Sequence, residues 1–198
     1  QGFEYTMLQD LEAYLRDQGF DVRVEMIPVP RDRLVPGLLG GVGDVAAASL
    51  TVTEKRLEVA DFTIPYISNV SEVIVTHKNA PKLRRIEDLS GKHVFVRGSS
   101  NYFESLTRLN ERMEKKGLAP VILDKDTEYL ETEDILEMVN SGAVEMTASD
   151  HYIAEVWAEV LEDIRVNGNL RLRENTDIAW MIRKGSRQLR VKLDEFLM

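Results

Sequence analysis

The sequence predicts an α/β protein of two lobes, each a sheet flanked by helices, and three observations carry this. Segments with three-and-four apolar spacing alternate along the chain with short runs of period two or of continuous apolar residues, which is the rhythm of strands joined by crossover helices. Glycines punctuate the elements at Gly19, Gly40-Gly41, Gly142 and Gly185. The pattern restarts after the polar, Pro-containing stretch His77 to Arg85, and the last strand and helix repeat the style of the first.

From the start, Thr6 to Gln18 sets Met7, Leu8, Leu11, Tyr14 and Leu15 on one helical face, and Gly19 ends it. Asp21 to Ile27 alternates, with Val22, Val24 and Met26 on one side, and reads as a strand. A helix follows over Asp32 to Leu39, then an apolar strand Val45 to Ala48 that ends at Ser49, with Thr53 placed to cap a short helix from Glu54. The middle holds a strand Glu72 to Thr76 and, past the crossing, a strand Lys92 to Arg97. A helix from Asn101 to Lys116 turns Phe103, Leu106, Leu109 and Met113 inward, and a strand Pro120 to Leu123 follows. Then come a helix Thr132 to Asn140 with Thr132 as its N-cap, a strand Val144 to Ala148, and a helix with Ile153, Val156 and Trp157. The chain closes with a strand Asp177 to Arg183 and a helix Ser186 to Leu197. The lobes are therefore expected at residues 1–76 with 174–198, and at 77–173, with a ligand cleft between them.

Composition narrows the function. With 25 Lys plus Arg against 34 Asp plus Glu, the net charge of −9 disfavours an extended polyanion such as nucleic acid. The longest apolar runs are strand-sized, so no membrane span is expected. The absence of cysteine removes disulfides, thiolate metal sites and thiol nucleophiles together. Gln1-Gly2-Phe3-Glu4-Tyr5 has neither the basic start nor the apolar stretch of a secretory signal.

The informative stretch is Gly43-Asp44-Val45-Ala46-Ala47-Ala48-Ser49-Leu50-Thr51-Val52-Thr53-Glu54-Lys55-Arg56. It puts Ser49, Thr51 and Arg56 at the carboxyl end of a strand, where open α/β sheets bind ligands. The Arg56 guanidinium is a rigid fork that matches a carboxylate, and the hydroxyls and helix-start amides are neutral donors. This segment resembles the signature of the family 3 extracellular solute-binding proteins, the polar amino-acid receptors of ABC importers. The resemblance implies that Arg56, Thr51 and Ser49 hold the ligand α-carboxylate. It extends to Gly91 to Ser100, whose Gly98-Ser99-Ser100 loop would donate to the same carboxylate, and to Gly142 to Asp150, whose Asp150 would accept the α-ammonium.

A narrower resemblance spans nearly the whole chain. Pro28 to Leu34, Arg97 to Leu106, Glu133 to Gly142 and Ile178 to Ser186 are similar to the receptor-like module of F-type membrane-bound lytic murein transglycosylases. These resemblances imply a two-lobed periplasmic-binding-protein type II fold, each lobe a mixed sheet flanked by helices. They also imply a non-catalytic sensor of an amino acid or cell-wall peptide. A muramidase-like domain would follow it in the parent protein, located in the periplasm with the parent at the outer membrane. The enzyme's Glu-Ser and Gly-Leu-Met-Gln motifs are absent here, so no catalytic residue and no cofactor is expected in this chain. That family opens with a strand and loop ahead of Gly2-Phe3-Glu4, so lobe 1 is expected to lack its first strand. The alternatives are a free periplasmic receptor of an importer and, from another class, a dehydratase on the same fold, for which no distinctive carboxylate stands out.

Plainer roles stand beside these. Asp150 suits the N-cap of the following helix, Ser99 and Ser100 suit ordinary caps, and Trp157 and Trp180 suit core faces. The acidic run Asp124, Asp126, Glu128, Glu131, Glu133, Asp134 and Glu137 reads as a solvated face, since it lacks the alternating oxygen ligands and Gly of a calcium loop. His77, His93 and His151 share no metal-ligand spacing.

Overall fold

The computed structural model describes residues 2–125 and 128–198. The first elements are α1 (Phe3–Asp17), α2 (Arg31–Leu39), β1 (Val45–Thr51), α3 (Glu54–Val59), β2 (Ala60–Phe62) and β3 (Ile67–His77). A 3₁₀ turn (Ile86–Leu89) leads to β4 (His93–Phe95), α4 (Asn101–Lys115), β5 (Ile122–Asp124) and α5 (Thr132–Asn140). The chain ends with β6 (Met146–Asp150), α6 (His151–Ala158), β7 (Ile164–Arg183) and α7 (Arg187–Leu197). It divides into two compact units, Gln1–Ser68 with Asp177–Met198, and Asn69–Thr176.

In the first unit, β1 and β2 both pair antiparallel with the second half of β7. The period of two along β7 sorts its side chains into two layers. Ala179 and Met181 join Leu38, Ala46, Leu50 and Phe62 on the α2 side. Trp180 and Ile182 join Leu11 and Leu193 on the side of α1 and α7. Helix α1 buries the stripe carrying Met7, Leu8, Leu11 and Leu15 there. It stops because Gly19 takes φ +85°, which lets Phe20 N–H reach back to Leu15 C=O at 3.0 Å and Gly19 N–H to Arg16 C=O at 2.9 Å.

In the second unit, β3 pairs antiparallel with β6, which runs parallel to β4, which runs parallel to β5. Ile74, Met146, Ala148, Val94 and Val96 face Leu106, Leu109 and Met113 of α4. Val73 and Val75 face the other way, toward Leu136 and Val139 of α5 and Ala154 of α6. Phe103, expected inward, is only partly buried, and Tyr102 takes the buried place.

Several expectations need correction. Residues 21–27 form no ladder among the described residues. Alternation assigns faces but supplies no partner strand, and side chains of α1 hold this backbone instead. Glu12 Oε2 accepts from Val24 N–H at 2.8 Å, and Arg16 Nε donates to Val22 C=O at 3.1 Å. Strand β1 runs on to Thr51 rather than ending at Ser49, and β5 and β6 begin two residues later than expected. Short strand β2 and the 3₁₀ turn carry no periodicity long enough to read. β3 begins at Ile67 and β7 at Ile164, well before the expected Glu72 and Asp177. The early part of β3 carries Ser68, Asn69 and Ser71, while in β7 the alternation of Ile164, Val166, Leu170 and Leu172 is interrupted at Gly168. The units divide inside these two strands, at Ser68–Asn69 and Thr176–Asp177, where composition marks no linker. The polar stretch His77 to Arg85, expected to be the crossing, lies wholly in the second unit.

Candidate functional site

In the first unit the end of β1 and the start of α3 bring Ser49, Thr51 and Arg56 together. The β1 register shifts between Ala46 and Leu50, and within that irregularity Ser49 has φ 48°. Ser49 N–H donates to Glu4 Oε1 at 2.7 Å, and its hydroxyl lies 3.4 Å from the same oxygen. The Tyr66 hydroxyl also donates to Glu4 Oε1, and Trp180 Nε1 donates to Glu4 Oε2 at 2.6 Å. Thr53 caps α3 by accepting from Arg56 N–H at 3.3 Å. The Arg56 side chain folds back so that Nη1 donates to Thr51 C=O at 2.7 Å. Thr51 is 1% exposed, and its hydroxyl oxygen is buried without a hydrogen-bond partner.

In the second unit the candidates sit at the carboxyl ends of the parallel strands β4 and β6. Ser100 is the N-cap of α4: its Oγ accepts from Phe103 N–H at 3.1 Å and donates to Arg97 C=O at 2.8 Å. Ser100 N–H also goes to Arg97 C=O, at 3.2 Å, so both of its donors are spent on the turn. Ser99 is exposed and grips a carboxylate: its N–H donates to Glu128 Oε1 at 3.1 Å and its hydroxyl to Glu128 Oε2. A Cβ on Gly98 would come within 3.2 Å of Glu128 Oε1, so a side chain there would make that carboxylate give way by a few tenths of an ångström.

Asp150 is 3% exposed. It occupies the N-cap position of α6 but makes no side-chain cap hydrogen bond, and its N–H donates to the Tyr102 hydroxyl at 3.1 Å. Burial, and next the Asp150 charge, push the Tyr102 phenol well above its usual value of 10.0.

Directly across the β3–β6 ladder from Asp150 stands Glu72, 0% exposed. Asn101 Nδ2 donates to Glu72 Oε1 at 2.9 Å and Arg173 Nε stands 3.7 Å away, while Oε2 is buried without a partner. Burial is the largest influence on Glu72 and raises it above 4.5, against the lowering hydrogen bond of Asn101 and the charge of Arg173.

Sequence reasoning missed Glu4 and Glu72. A charge inside the apolar run Val70 to Val75 was a usable signal for Glu72, whereas Glu4 looks like any acid in the first turn of a helix. The acidic run is also less uniform than a solvated face. Glu128 binds the Ser99 loop, while Glu131 pairs with buried Arg97 at 3.3 Å and its N–H donates to Asp134 at 2.7 Å. Glu131 rather than Thr132 therefore caps α5, because its carboxylate and that of Asp134 close a reciprocal box. Asp126 of that run lies outside the described residues. Trp180 is fully buried and Trp157 packs on the α5–α6 cluster, both in core roles. Among the described residues no helix is long and apolar enough to cross a membrane.

The family model for bacterial extracellular solute-binding proteins, family 3, matches residues 1–198. A protein named membrane-bound lytic murein transglycosylase F from Desulfosudis oleivorans is 32% identical over 197 residues, 98% of this chain and 40% of its own length. A protein of the same name from Shewanella sp. (strain ANA-3) is 28% identical over 183 residues, 91% of this chain and 35% of its own. The chain thus spans well under half the length of these relatives. Among solved structures, an ancestral arginine-binding protein bound to arginine superposes with a TM-score of 0.79 at 24% identity, covering 99% of this chain and 80% of that one. An amino acid ABC transporter substrate-binding protein from Streptococcus pneumoniae bound to L-arginine gives 0.76 at 20% identity, covering 100% and 76%. The fold is that of these amino-acid-binding proteins.

Proposed function

Because the chain belongs to the bacterial extracellular solute-binding proteins of family 3, we propose that it is a non-catalytic module that binds a small amino-acid-like or cell-wall peptide ligand with residues of both units. Arg56 and Thr51, joined by Ser99 on a loop that Ser100 fixes as the cap of α4, hold the ligand carboxylate, Ser49 lines its position, and Asp150 accepts the ammonium. The observation that carries the reading is Thr51. Its buried hydroxyl has no hydrogen-bond partner among the described residues, beside a guanidinium anchored on its own carbonyl. A buried polar group left unmatched costs about 1 to 3 kcal/mol, and a ligand carboxylate would match it. Ligand contacts to both units would favour one arrangement of the two over others.

On this reading the module tunes an attached lytic transglycosylase domain of a longer protein, in the periplasm and at the outer membrane. The support is the shared name of the relatives and the share of their length that this chain spans. The alternative, a free receptor of an amino-acid importer, is supported by what the solved structures are named to bind.

The reading also includes one further extended strand in the first unit. A groove of about 1110 Å³ supports it, lined by Leu8, Leu11, Val24, Val45 and Ala47 beside the unladdered segment 22–29. Its walls would give a strand an apolar seat and backbone partners.

A thermal-shift screen against the amino acids and short muropeptide stems tests the reading, since a ligand that binds only the folded state raises the melting temperature. The expected result is a rise that disappears in both Arg56→Ala and Asp150→Ala. A rise that survives Arg56→Ala would show that the carboxylate is held elsewhere.

A further inference from the structure

Among the described residues, three other than glycine have positive φ: Ser49 at 48°, Asn69 at 61° and Asn175 at 53°. Asparagine tolerates this left-handed conformation because its short amide bonds locally to the backbone, so at the latter two positions the residue type carries much of the geometry. Serine has no such advantage. A serine stays there only if its surroundings over-determine it.

The surroundings of Ser49 are Glu4. One carboxylate oxygen takes Ser49 N–H, faces the Ser49 hydroxyl and takes the Tyr66 hydroxyl, while the other takes the Trp180 indole N–H. Three of these four donors crowd Oε1, whose two lone-pair sites they exceed, while Oε2 takes one and keeps another, so most of the acceptor capacity of Glu4 is spent inside the first unit. Its use lies in what it holds. The left-handed Ser49 sits in the bulge that resets the β1 register, after which Leu50 and Thr51 pair with Ala179 and Ile178. Bulges re-aim the side chains that follow them, and here the next groups are Thr51 and, through the Thr51 carbonyl, Arg56.

We propose that Glu4 is a positioning residue that fixes Ser49 in the left-handed conformation and so aims Thr51 and Arg56 at the ligand. The inference rests on the reading of Ser49, Thr51 and Arg56 as ligand-binding residues. Glu4 also ties α1 to Tyr66 and Trp180, so a loss of stability in a Glu4 variant would not distinguish positioning from simple bracing. Glycine at position 49 does distinguish them, because glycine adopts positive φ without help.

The experiment compares the parent, Glu4→Ala, Glu4→Gln, Ser49→Gly, and Ser49→Gly combined with each Glu4 change. Affinity for L-arginine and L-glutamine is measured by calorimetry, and the Ser49 intraresidue Hα–HN NOE, strong at positive φ, by NMR. The expected result is a loss of affinity of about ten-fold or more on changing Glu4 with Ser49 present, shrinking to about three-fold or less with Ser49→Gly, as relief of backbone strain requires. The NOE at Ser49 should be strong in the parent and weak in Glu4→Ala, or in Glu4→Gln if the alanine variant does not fold. Equal losses in both backgrounds, no loss at all, or a Ser49 NOE unchanged in the Glu4 variants would overturn the proposal. If neither amino acid binds the parent, the NOE alone decides: its loss in the Glu4 variants upholds the Glu4–Ser49 linkage while the amino-acid reading fails, and its persistence overturns the linkage.

Discussion

Replacing Thr51 with valine should move stability and affinity in opposite directions. Thr51 is 1% exposed and its hydroxyl lacks a partner among the described residues, so the fold carries an unmatched buried polar group. Such a group costs about 1 to 3 kcal/mol, and an apolar replacement of similar shape removes that cost. Taking the lower end, a gain of about 1 kcal/mol raises the melting temperature by about 2 to 4 °C in a chain of this length. The bound state changes the other way. A hydrogen bond to a charged group contributes about 1.5 to 3 kcal/mol, so Thr51→Val should weaken binding of a carboxylate ligand by about 10- to 100-fold. Scanning calorimetry with and without ligand, beside a binding titration, reads both effects on one pair of proteins. A valine variant that melts lower than the parent without ligand, or binds as tightly as the parent, would refute the reasoning.

Glu72→Gln should flatten the pH dependence of stability. Burial raises the folded Glu72 above 4.5, so its contribution is complete below the unfolded value and lost as pH rises through the folded one. Melting temperatures taken from about pH 4 to pH 8 should fall more steeply in the parent than in the variant over the range above 4.5; parallel curves would contradict the assignment. Glu128→Ala frees the Ser99 N–H and hydroxyl from an internal carboxylate and should tighten a carboxylate ligand several-fold by calorimetry, whereas unchanged or weaker binding would count against that loop as a ligand contact. Leu106→Ala empties a fully buried position of the α4 core and should cost about 2 to 5 kcal/mol in a urea titration, with an unmoved midpoint arguing against that packing.

Much of the helical architecture was legible because a helix with one buried face must repeat its apolar residues every three to four positions. Helices α1 and α4 do this along their whole length. Strands were less legible. The alternation of Val22, Val24 and Met26 specifies a face, yet a ladder depends on a neighbour that local pattern cannot supply. The start of β3 was hidden by Ser68, Asn69 and Ser71, and the first half of β7 by Gly168, which interrupts an alternation of Ile164, Val166, Leu170 and Leu172 that was there to be read. The expected boundaries at 76 and 173 followed composition, whereas the units divide at Asn69 and Asp177, inside continuous strands.

The candidate site was legible to the extent that its chemistry is local. Ser49, Thr51 and Arg56 fall within one strand–turn–helix, so their proximity follows from spacing. The partner of Ser49 does not: Glu4 is joined to it, to Tyr66 and to Trp180 across long stretches of chain. The same holds for Glu128 on the Ser99 loop, and for Glu72, which faces Asp150 through strand register. Ser100 could be read as cap or as ligand donor, and its hydroxyl is committed to the cap.

The most direct test follows the backbone amides of Thr51, Arg56, Ser99 and Asp150 by ¹⁵N–¹H NMR while an amino acid or muropeptide stem that raises the melting temperature is titrated in. The account predicts that residues of both units shift along one saturation curve with a single dissociation constant. Shifts confined to one unit, or two curves with different constants, would contradict a ligand held by both.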